Sequence, residues 1–285
     1  MMKGIFIALV CVFLLALPVM ADINSWAPGK YMKQAMDRIV LNSGLVGLVV
    51  DNVGYMPGIS IMGSLFDVGE EISWSAEFQA GTSYLIMAAG DDDATDVDLT
   101  ISDSKGNTIQ EDTQTDANPL LEFTPTKTAY YRITVKLYDA TASSFCSLVL
   151  MQENGVNLDL DQLTTCVDIG LETAAQSSFA DDLAFIDTPN QWALYGAPLG
   201  SGESVTVTNV HLVDGLNILL GAADENCSDA DLILYDRNDT QLQADTQSDK
   251  VPVLVYENDG GDKFQVEIKN YGSTQPSLVI AMLLW

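Results

Sequence analysis

The chain has 285 residues, of which 47% are hydrophobic; this is enough for one or two folded domains and excludes a wholly disordered chain. Its 12 basic and 40 acidic residues give a net charge of −28, which excludes binding to nucleic-acid phosphates. With one histidine, the chain cannot build a histidine-rich metal site, and most nucleophilic triads are disfavoured.

The first 21 residues have the pattern of a secretory signal peptide. A positive start containing Lys3 precedes an apolar run from Gly4 to Val19, and Ala21 stands at the cleavage position. The run is shorter than the ~20 residues that a membrane span needs, although a retained N-terminal anchor is the alternative. We therefore predict a secreted protein with no membrane span after cleavage, located in the periplasm, at the cell surface or in the medium.

Helical spacing follows in the opening of the mature chain. Apolar residues between Tyr31 and Leu41 recur every three or four positions, which predicts a short helix near the N-terminus of the first domain. Residues 163–175 show a less regular version of the same pattern and predict a second helix.

The rest of the chain consists of two copies of one segment, offset by 133 residues. Residues 69–151 match residues 202–284 without gaps, with 20 identities among 83 pairs. Asp96-Val-Asp-Leu99 falls on Asp229-Ala-Asp-Leu232, and Gln110–Asp116 falls on Gln243–Asp249. We infer a tandem duplication with a signal peptide at residues 1–21, a first domain at 22–152 and a second at 153–285.

Each copy has the patterning of β-strands. Tyr131, Ile133, Val135 and Leu137 alternate with polar residues, which predicts a strand with one buried face. Short apolar runs predict more central strands at residues 84–89, 120–124 and 145–151, and at their partners 217–222, 253–257 and 278–284. Seven or eight strands per copy predict an all-β protein of two tandem antiparallel β-sandwiches, jelly-roll-like in topology, each with its own core.

The repeated motifs resemble a known bacterial family. Asp96-Val-Asp-Leu99, the acidic turn Asp112–Asp116, Pro119-Leu-Leu121 and the aromatic strand Tyr130–Val135 are similar to the pre-peptidase C-terminal (PPC) domain, a β-sandwich appended to many secreted proteases. The resemblance covers residues 69–151 and 202–284, but Thr128-Ala129 replaces the usual glycine before the aromatic strand. No peptidase precedes these copies. The resemblance implies a non-catalytic accessory role and, in some relatives, calcium binding and attachment to polymers.

Carboxylates crowd one segment of each copy and suggest a calcium site. Calcium takes six to eight oxygen ligands in irregular geometry, and neighbouring carboxylates repel one another unless a cation lies between them. The candidate ligands are Asp91, Asp92, Asp93, Asp96 and Asp98 in the first copy, and Asp224, Glu225, Asn226, Asp229 and Asp231 in the second. The alternative is a solvated loop whose aspartates cap turns. We interpret the Asp112–Asp116 and Asp245–Asp249 segments as structural turns.

Three cysteines follow the signal peptide. Cys146 lies in an apolar run and is interpreted as a buried hydrophobic residue. An oxidising compartment permits one disulfide, and Cys166–Cys227 is the pair that we predict. No CxxC spacing suggests redox or zinc chemistry.

Other candidate residues give weaker signals. His211 aligns with Phe78 on a strand position expected to point inward, without the sequence context of a nucleophile, so we interpret it as structural. Trp26 and Trp192 fall in expected loops and are the tryptophans to consider for ligand stacking.

These features predict a secreted, non-catalytic binding or structural module, stabilised by calcium, that attaches to an extracellular polymer or protein. Two alternatives stay open. One is a carboxylate-dependent extracellular hydrolase, for which a deep cleft with two facing carboxylates would be expected. The other is a subunit of an extracellular assembly, for which long, uncharged edge strands would be expected.

Overall fold

The described residues form antiparallel strands and two helices. The computed structural model describes residues 26–49, 52–177, 180, 182–261 and 263–285, so the predicted signal peptide lies outside the described residues. The helices are α1 (Ala27–Val49) and α2 (Leu160–Gln176), and each precedes one set of strands.

Nine strands follow α1 and eight follow α2. The first set comprises β1 (Val53–Tyr55), β2 (Ile61–Phe66), β3 (Glu71–Phe78), β4 (Tyr84–Gly90), β5 (Ala94–Ser102), β6 (Thr108–Asp112), β7 (Leu120–Phe123), β8 (Ala129–Ala140) and β9 (Ser144–Glu153). The second set comprises β10 (Leu194–Leu199), β11 (Ser204–Val210), β12 (Gly215–Ala223), β13 (Cys227–Asp236), β14 (Gln241–Asp245), β15 (Val253–Asn258), β16 (Phe264–Ser273) and β17 (Ser277–Leu284). Strands β2 to β9 correspond in order to β10 to β17.

Each half is a jelly roll. The first half pairs its strands in the orders β2-β9-β4-β7 and β3-β8-β5-β6, and the second half repeats both orders with β10-β17-β12-β15 and β11-β16-β13-β14. If the eight strands of a half are numbered in sequence, the orders are 1-8-3-6 and 2-7-4-5, which is the jelly-roll arrangement. The predicted all-β fold of tandem antiparallel sandwiches is confirmed.

The two halves join along their equivalent first strands. β2 pairs antiparallel with β10, so that the two larger sheets become one sheet of nine strands, including β1 beside β9. The register pairs Ile61 with Gly196, Met62 with Tyr195 and Gly63 with Leu194. Met62 and Tyr195 are equivalent residues (62 + 133 = 195), so the halves are related by a pseudo-two-fold axis through this pair, as in a symmetric dimer.

The hydrophobic core crosses this junction. One cluster of buried side chains fills the space between the large sheet and both small sheets, and it includes residues of both halves. Ring contacts bridge the junction at Phe66–Trp192, with centroids 5.8 Å apart, and at Trp74–Tyr195, with centroids 6.1 Å apart. The expectation of a separate core in each copy is therefore wrong, although the predicted domain boundary coincides with the end of β9.

The two kinds of strand pattern reflect two kinds of sheet. The large sheet is covered on one face by the small sheets and on the other by the helices, so β4 and β9 are buried along most of their length. Each small sheet has one solvent-exposed face, and β8 therefore alternates between buried and accessible residues. Residues 120–124 and 253–257, predicted as central, form β7 and β15 at the two edges of the large sheet.

The helices lie side by side on the outer face of the large sheet. Both predicted helices are present, but α1 is twice as long as expected because it continues through Gly44 and Gly47, which are poor helix formers. Gly44 lies where the helices approach each other: a Cβ atom there would be 2.5 Å from Leu160 Cδ2. At the start of α2, Gln162 Oε1 accepts a hydrogen bond from Asp159 N at 2.9 Å. Within the described part of the chain, neither helix has the length and apolarity to cross a membrane.

Candidate functional site

The first predicted ligand of each copy is a buried structural residue. Asp91 is fully buried, and its carboxylate accepts hydrogen bonds from Phe145 N at 2.7 Å and Asp93 N at 3.0 Å. The carboxylate thereby ties the turn after β4 to the start of β9. Burial raises the pKa of Asp91, and the two backbone donors oppose that rise.

Asp224 holds the same position in the second half. It is also fully buried, and it accepts hydrogen bonds from Leu278 N at 2.8 Å and Asn226 N at 2.9 Å. A third bond comes from Gln162 Nε2 at 2.9 Å, which links the turn to α2. Both carboxylates are therefore occupied by backbone or amide donors.

The next residues of the acidic segments face outward. Asp92 is exposed and forms an ion pair with Arg38 of α1, while Asp93 accepts a hydrogen bond from Thr141 Oγ1 at 2.7 Å. In the second copy Glu225 is exposed, and Asn226 contributes its backbone to the turn around Asp224. These residues are held by local contacts, and the negative charge of Asp93 adds to the rise in the pKa of Asp91.

The remaining predicted ligands lie on strands. Asp96 is 7% exposed, and the Oδ1 atoms of Asp96 and of its counterpart Asp229 are buried and accept no hydrogen bond from the described residues. Burial raises the pKa of Asp96, and nearby Asp116 and Asp139 raise it further. An unpaired buried carboxylate oxygen is costly, so its recurrence in both halves needs an explanation.

Asp98 and Asp231 occupy equivalent places on the outer faces of the two small sheets. Asp98 lies opposite Lys136 on β8, and Asp231 lies opposite Lys269 on β16. Burial raises the pKa of both carboxyl groups; the neighbouring Asp96 or Asp229 adds to the rise, and the lysine opposes it. Among the described residues, no three His, Cys, Asp or Glu side chains are arranged to share one metal ion.

The acidic turns have the same hydrogen bonds in both copies. Asp112 Oδ2 accepts from Leu120 N at 3.0 Å, and Asp245 Oδ2 accepts from Val253 N at 2.9 Å. Asp116 and Asp249 each accept from the backbone N–H two residues ahead, at 2.8 Å. Their interpretation as structural turns is confirmed.

The predicted Cys166–Cys227 disulfide is not formed. Cys146, Cys166 and Cys227 are free thiols, and all three are buried. Cys166 Sγ lies 3.3 Å from Ala222 O under α2, whereas Cys227 Sγ lies 3.4 Å from Asp229 O on the small-sheet side. The side chains thus belong to different core layers, and sequence spacing could not reveal this.

His211 does not take the inward position of its counterpart Phe78. A β-bulge near the end of β11, with Asn209 at φ 59°, shifts the register by one residue. Val210 therefore points into the core and pairs with Phe264, while His211 is half-buried beyond the strand. Its backbone pairs with the side chain of Gln191, consistent with a structural role.

Trp26 and Trp192 are unsuited to stacking on a ligand, because each is only 1% exposed. Trp26 Nε1 donates to Leu183 O at 2.9 Å, which fixes the ring beneath the segment after α2. Both tryptophans belong to the core, although the segments that carry them lie outside the strands.

The repeat instead places exposed tyrosines at equivalent positions, which sequence reasoning missed. Tyr138 is 58% exposed and Tyr271 is 59% exposed. The ammonium group of Lys136 lies 5.1 Å from the centre of the Tyr138 ring, and that of Lys269 lies 4.7 Å from the centre of the Tyr271 ring. We name these two sets, Asp98–Lys136–Tyr138 and Asp231–Lys269–Tyr271, the Asp–Lys–Tyr groups.

Comparisons with known proteins leave the family unassigned. No protein-family model and no curated protein match the chain, so the resemblance to the PPC domain stays a prediction. Among solved structures, a catalytic M60 domain with two CBM51 domains from Clostridium perfringens ZmpB is similar at 7% identity and TM-score 0.25; the match covers 82% of this chain and 37% of that one. The CBM22-1–CBM22-2 tandem of Paenibacillus barcinonensis Xyn10C is similar at 8% identity and TM-score 0.21, covering 82% and 93%. The major capsid protein P2 of bacteriophage PM2 is similar at 8% identity and TM-score 0.20, covering 80% and 98%.

Proposed function

We propose that the protein is a secreted, non-catalytic module that attaches to an extracellular polymer through the Asp–Lys–Tyr groups on its two small sheets. The observation that carries the proposal is the retention of these groups on surfaces that otherwise differ between the copies. On β8 and β16, Arg132 is replaced by Gln265 and Thr134 by Glu267, whereas the lysine and the tyrosine are the same.

The chemistry of the groups suits a neutral, hydroxyl-rich chain. An exposed tyrosine offers a large, rigid and amphipathic contact surface at low entropic cost. The adjacent lysine supplies hydrogen-bond donors for hydroxyl groups, whereas the aspartate lies lower in the surface, with Asp231 only 5% exposed. The net charge of −28 opposes the approach of polyanions, so an uncharged polysaccharide is the expected partner.

The test is retention of the mature protein on insoluble cellulose, chitin and xylan. We expect the wild type to be depleted from solution by at least one of them. Tyr138→Ala together with Tyr271→Ala should abolish retention. Each single variant should weaken it by a smaller factor, because two linked sites bind with avidity.

Tyr130→Ala is the matched control. Tyr130 lies on the same strand as Tyr138 and is 62% exposed, but Lys263 replaces it in the second copy. This variant should bind as the wild type does. Failure of the wild type to bind any of the polymers, or equal binding by the double tyrosine variant, would refute the proposal.

Calcium as a stabilising ligand is part of this proposal. Asp96 and Asp229 present the buried, unpartnered oxygens, and Asp116 and Asp139 add negative charge around the first of them. Calcium would complete its coordination with backbone carbonyls and water. The proposed site does not include the buried Asp91 and Asp224, because their oxygens already accept two and three hydrogen bonds.

Millimolar calcium should raise the melting temperature relative to chelator, because a ligand of the folded state stabilises it by mass action. Magnesium should have a smaller effect, since it requires a tighter octahedron. Asp96→Asn and Asp229→Asn should each reduce the shift, and so should Asp98→Ala and Asp231→Ala. An identical melting temperature in calcium and chelator would remove calcium from the proposal.

The carboxylate-dependent hydrolase receives no support from the pocket at the end of the second sandwich. Among the described residues the pocket is lined by one carboxylate, Asp236, whose Oδ1 accepts hydrogen bonds from Asn238 N and Thr240 N, both at 2.8 Å. These bonds lower the pKa of Asp236, whereas a general acid needs a raised pKa.

Assembly through edge strands is disfavoured at most edges of the sheets. The edges β6, β7, β14 and β15 are four to six residues long and carry acidic residues, for example Glu111 and Glu257. The edge β3 is longer but carries Glu71 and Glu77. Short or charged edges oppose pairing with another chain. The remaining small-sheet edge, β11, has seven residues and no charge, so it is the edge at which the assembly alternative stays open.

A further inference from the structure

A second candidate site lies at one end of the second sandwich and is independent of the Asp–Lys–Tyr groups. Two loops, β13–β14 and β15–β16, face each other across an open pocket of about 400 Å³. The pocket is lined by Arg237, Tyr256 and Lys263, together with Asp236, Asn238, Leu242, Gly260, Gly261 and Phe264. A concave surface with a few convergent polar groups is the usual form of a small-molecule site.

Both loops are held in place by internal hydrogen bonds. In the first loop the Asp236 carboxylate caps the turn, and Gln265 Nε2 donates to Asp239 Oδ1 at 2.5 Å. In the second loop Asn258 Oδ1 accepts from Gly261 N at 2.8 Å, and Asn258 Nδ2 donates to Gly261 O at 3.1 Å. The residues that make these hydrogen bonds are therefore fixed before a ligand arrives, which lowers the entropic cost of binding.

The pocket brings two of the chain's 12 basic residues to one concavity. Arg237 and Lys263 are exposed, and neither forms an ion pair with any residue that the structure describes. Asp236 lines the same concavity, but its Oδ1 already accepts hydrogen bonds from Asn238 N and Thr240 N. In a protein of charge −28, two cations beside this one described carboxylate create a local site for a negative group.

Comparison of the copies shows that the basic residues at this end stand at different positions in the two halves. At the positions of Arg237, Tyr256 and Lys263 the first copy has Ser104, Phe123 and Tyr130. Asn238 and Gly260 replace Lys105 and Lys127, so each half has two positive charges here and only their positions differ. The supporting aspartate is retained as Asp103, whose carboxylate accepts from Asn107 N at 2.9 Å. The same turn therefore displays different side chains in the two halves.

We propose that this pocket binds the carboxylate of an acidic sugar, with Arg237 and Lys263 on the carboxylate and the Tyr256 ring beside the sugar. The guanidinium group of arginine matches a carboxylate with two parallel hydrogen bonds. The expected ligand carries one carboxylate on an otherwise neutral sugar, because a polyanion would be repelled by the rest of the surface.

The experiment compares methyl β-glucuronide with methyl β-glucoside, which differ by one carboxylate on the same ring. Amide shifts of the full mature protein are followed by NMR during titration with each. We expect the glucuronide to bind at least tenfold more tightly, with the largest shifts at Asn238 and Gly261. Added salt should weaken the binding, because it screens the charges.

Arg237→Gln and Lys263→Gln should each weaken glucuronide binding by about tenfold or more, as expected for loss of a charge-assisted hydrogen bond. Arg132→Gln, which removes an exposed cation of the first copy, is the control and should have no effect. A variant is folded if its spectrum overlays the wild-type spectrum at residues away from the pocket. If one of the two pocket variants does not fold, the other is enough for the test.

Equal affinity for glucuronide and glucoside, or unchanged affinity in both pocket variants, would overturn the proposal. Tighter binding of glucose 6-sulfate than of the glucuronide would overturn the assignment to carboxylate. Polymer retention is measured separately through the tyrosine variants. Binding of the glucuronide without retention on polymers would refute only the proposed function, and the reverse result would refute only the pocket.

Discussion

Replacement of Asp91 by alanine tests whether the acidic segments are primarily structural. The substitution leaves Phe145 N and Asp93 N without their acceptor at a fully buried position. A buried donor without an acceptor lowers the free energy of unfolding by about 1–3 kcal/mol, so two such donors lower it by about 2–6 kcal/mol. Removing the buried carboxylate relieves part of its desolvation, and we therefore expect a net loss of about 2–4 kcal/mol in the free energy of unfolding.

Urea denaturation monitored by tryptophan fluorescence measures this loss. At about 2–4 °C per kcal/mol for a chain of this size, the melting temperature should fall by about 4–16 °C. Asp224→Ala should cost more than Asp91→Ala, because it strands Leu278 N, Asn226 N and the amide of Gln162. The matched controls are Asp92→Ala and Glu225→Ala, which remove exposed carboxylates and should cost less than about 1 kcal/mol.

Two results would refute this reasoning. One is a loss for Asp91→Ala no larger than for Asp92→Ala, which would mean that water replaces the carboxylate at no cost. The other is a loss that appears in calcium but vanishes in chelator, since the carboxylate would then act by holding an ion.

Three further predictions follow from burial. Burial and neighbouring acids raise the pKa of Asp96, Asp98 and Asp231, so each contributes stability that is lost as pH rises from 3.8 through its folded pKa. Hydrogen bonds lower the pKa of Asp103 and Asp236, so their contribution to stability is lost as pH falls below 3.8. The melting temperature should therefore peak between pH 4 and 7. A melting temperature that rises steadily up to pH 7 would contradict this prediction. Gly63→Ala should cost about 1–3 kcal/mol in urea titrations, because the new Cβ would lie 2.5 Å from Phe145 Cε1, whereas Gly47→Ala, with open space around it, should be neutral or stabilising. Three thiols of the mature protein should react with Ellman's reagent only after unfolding, since burial shields them and raises their pKa; a single reactive thiol in denaturant would reveal a disulfide.

The strand content and topology could be predicted because the physical cause is local. Tyr131, Ile133 and Val135 alternate with polar residues because β8 has one wet face. The unbroken apolar run of β9 has the opposite cause, since the helices cover the second face of the large sheet. A run without alternation indicates burial on both sides, but it does not identify the covering element.

The union of the halves could not be predicted, because it depends on which edge of each sheet is left unpaired. β2 and β10 are similar to other short apolar strands, and nothing in their residue types specifies that they pair with each other. The duplication suggested two independent cores. Trp192 and Tyr195 lie in the second copy, but they pack on Phe66 and Trp74 of the first.

The acidic motifs misled for a related reason. Repetition in two copies shows that a residue is constrained, but it does not distinguish a ligand from a turn cap. Asp91 and Asp112 bind backbone N–H groups, and their counterparts do the same. Several of the repeated aspartates are therefore explained by the backbone of the jelly roll, whereas Asp96 and Asp229 each keep a buried oxygen that accepts no hydrogen bond from the described residues.

Differences between the copies are informative once the residues that the fold itself requires are set aside. Exposed positions carry little stability, so Tyr138 and Tyr271 are not retained for the sake of packing, and a shared contact with a partner explains them better. The reverse holds at the sandwich ends, where the turn around Asp103 and Asp236 is the same but its exposed side chains differ. One surface would then bind in both halves and another in only one. A duplicated module can acquire such a division of labour while β2 and β10 remain paired.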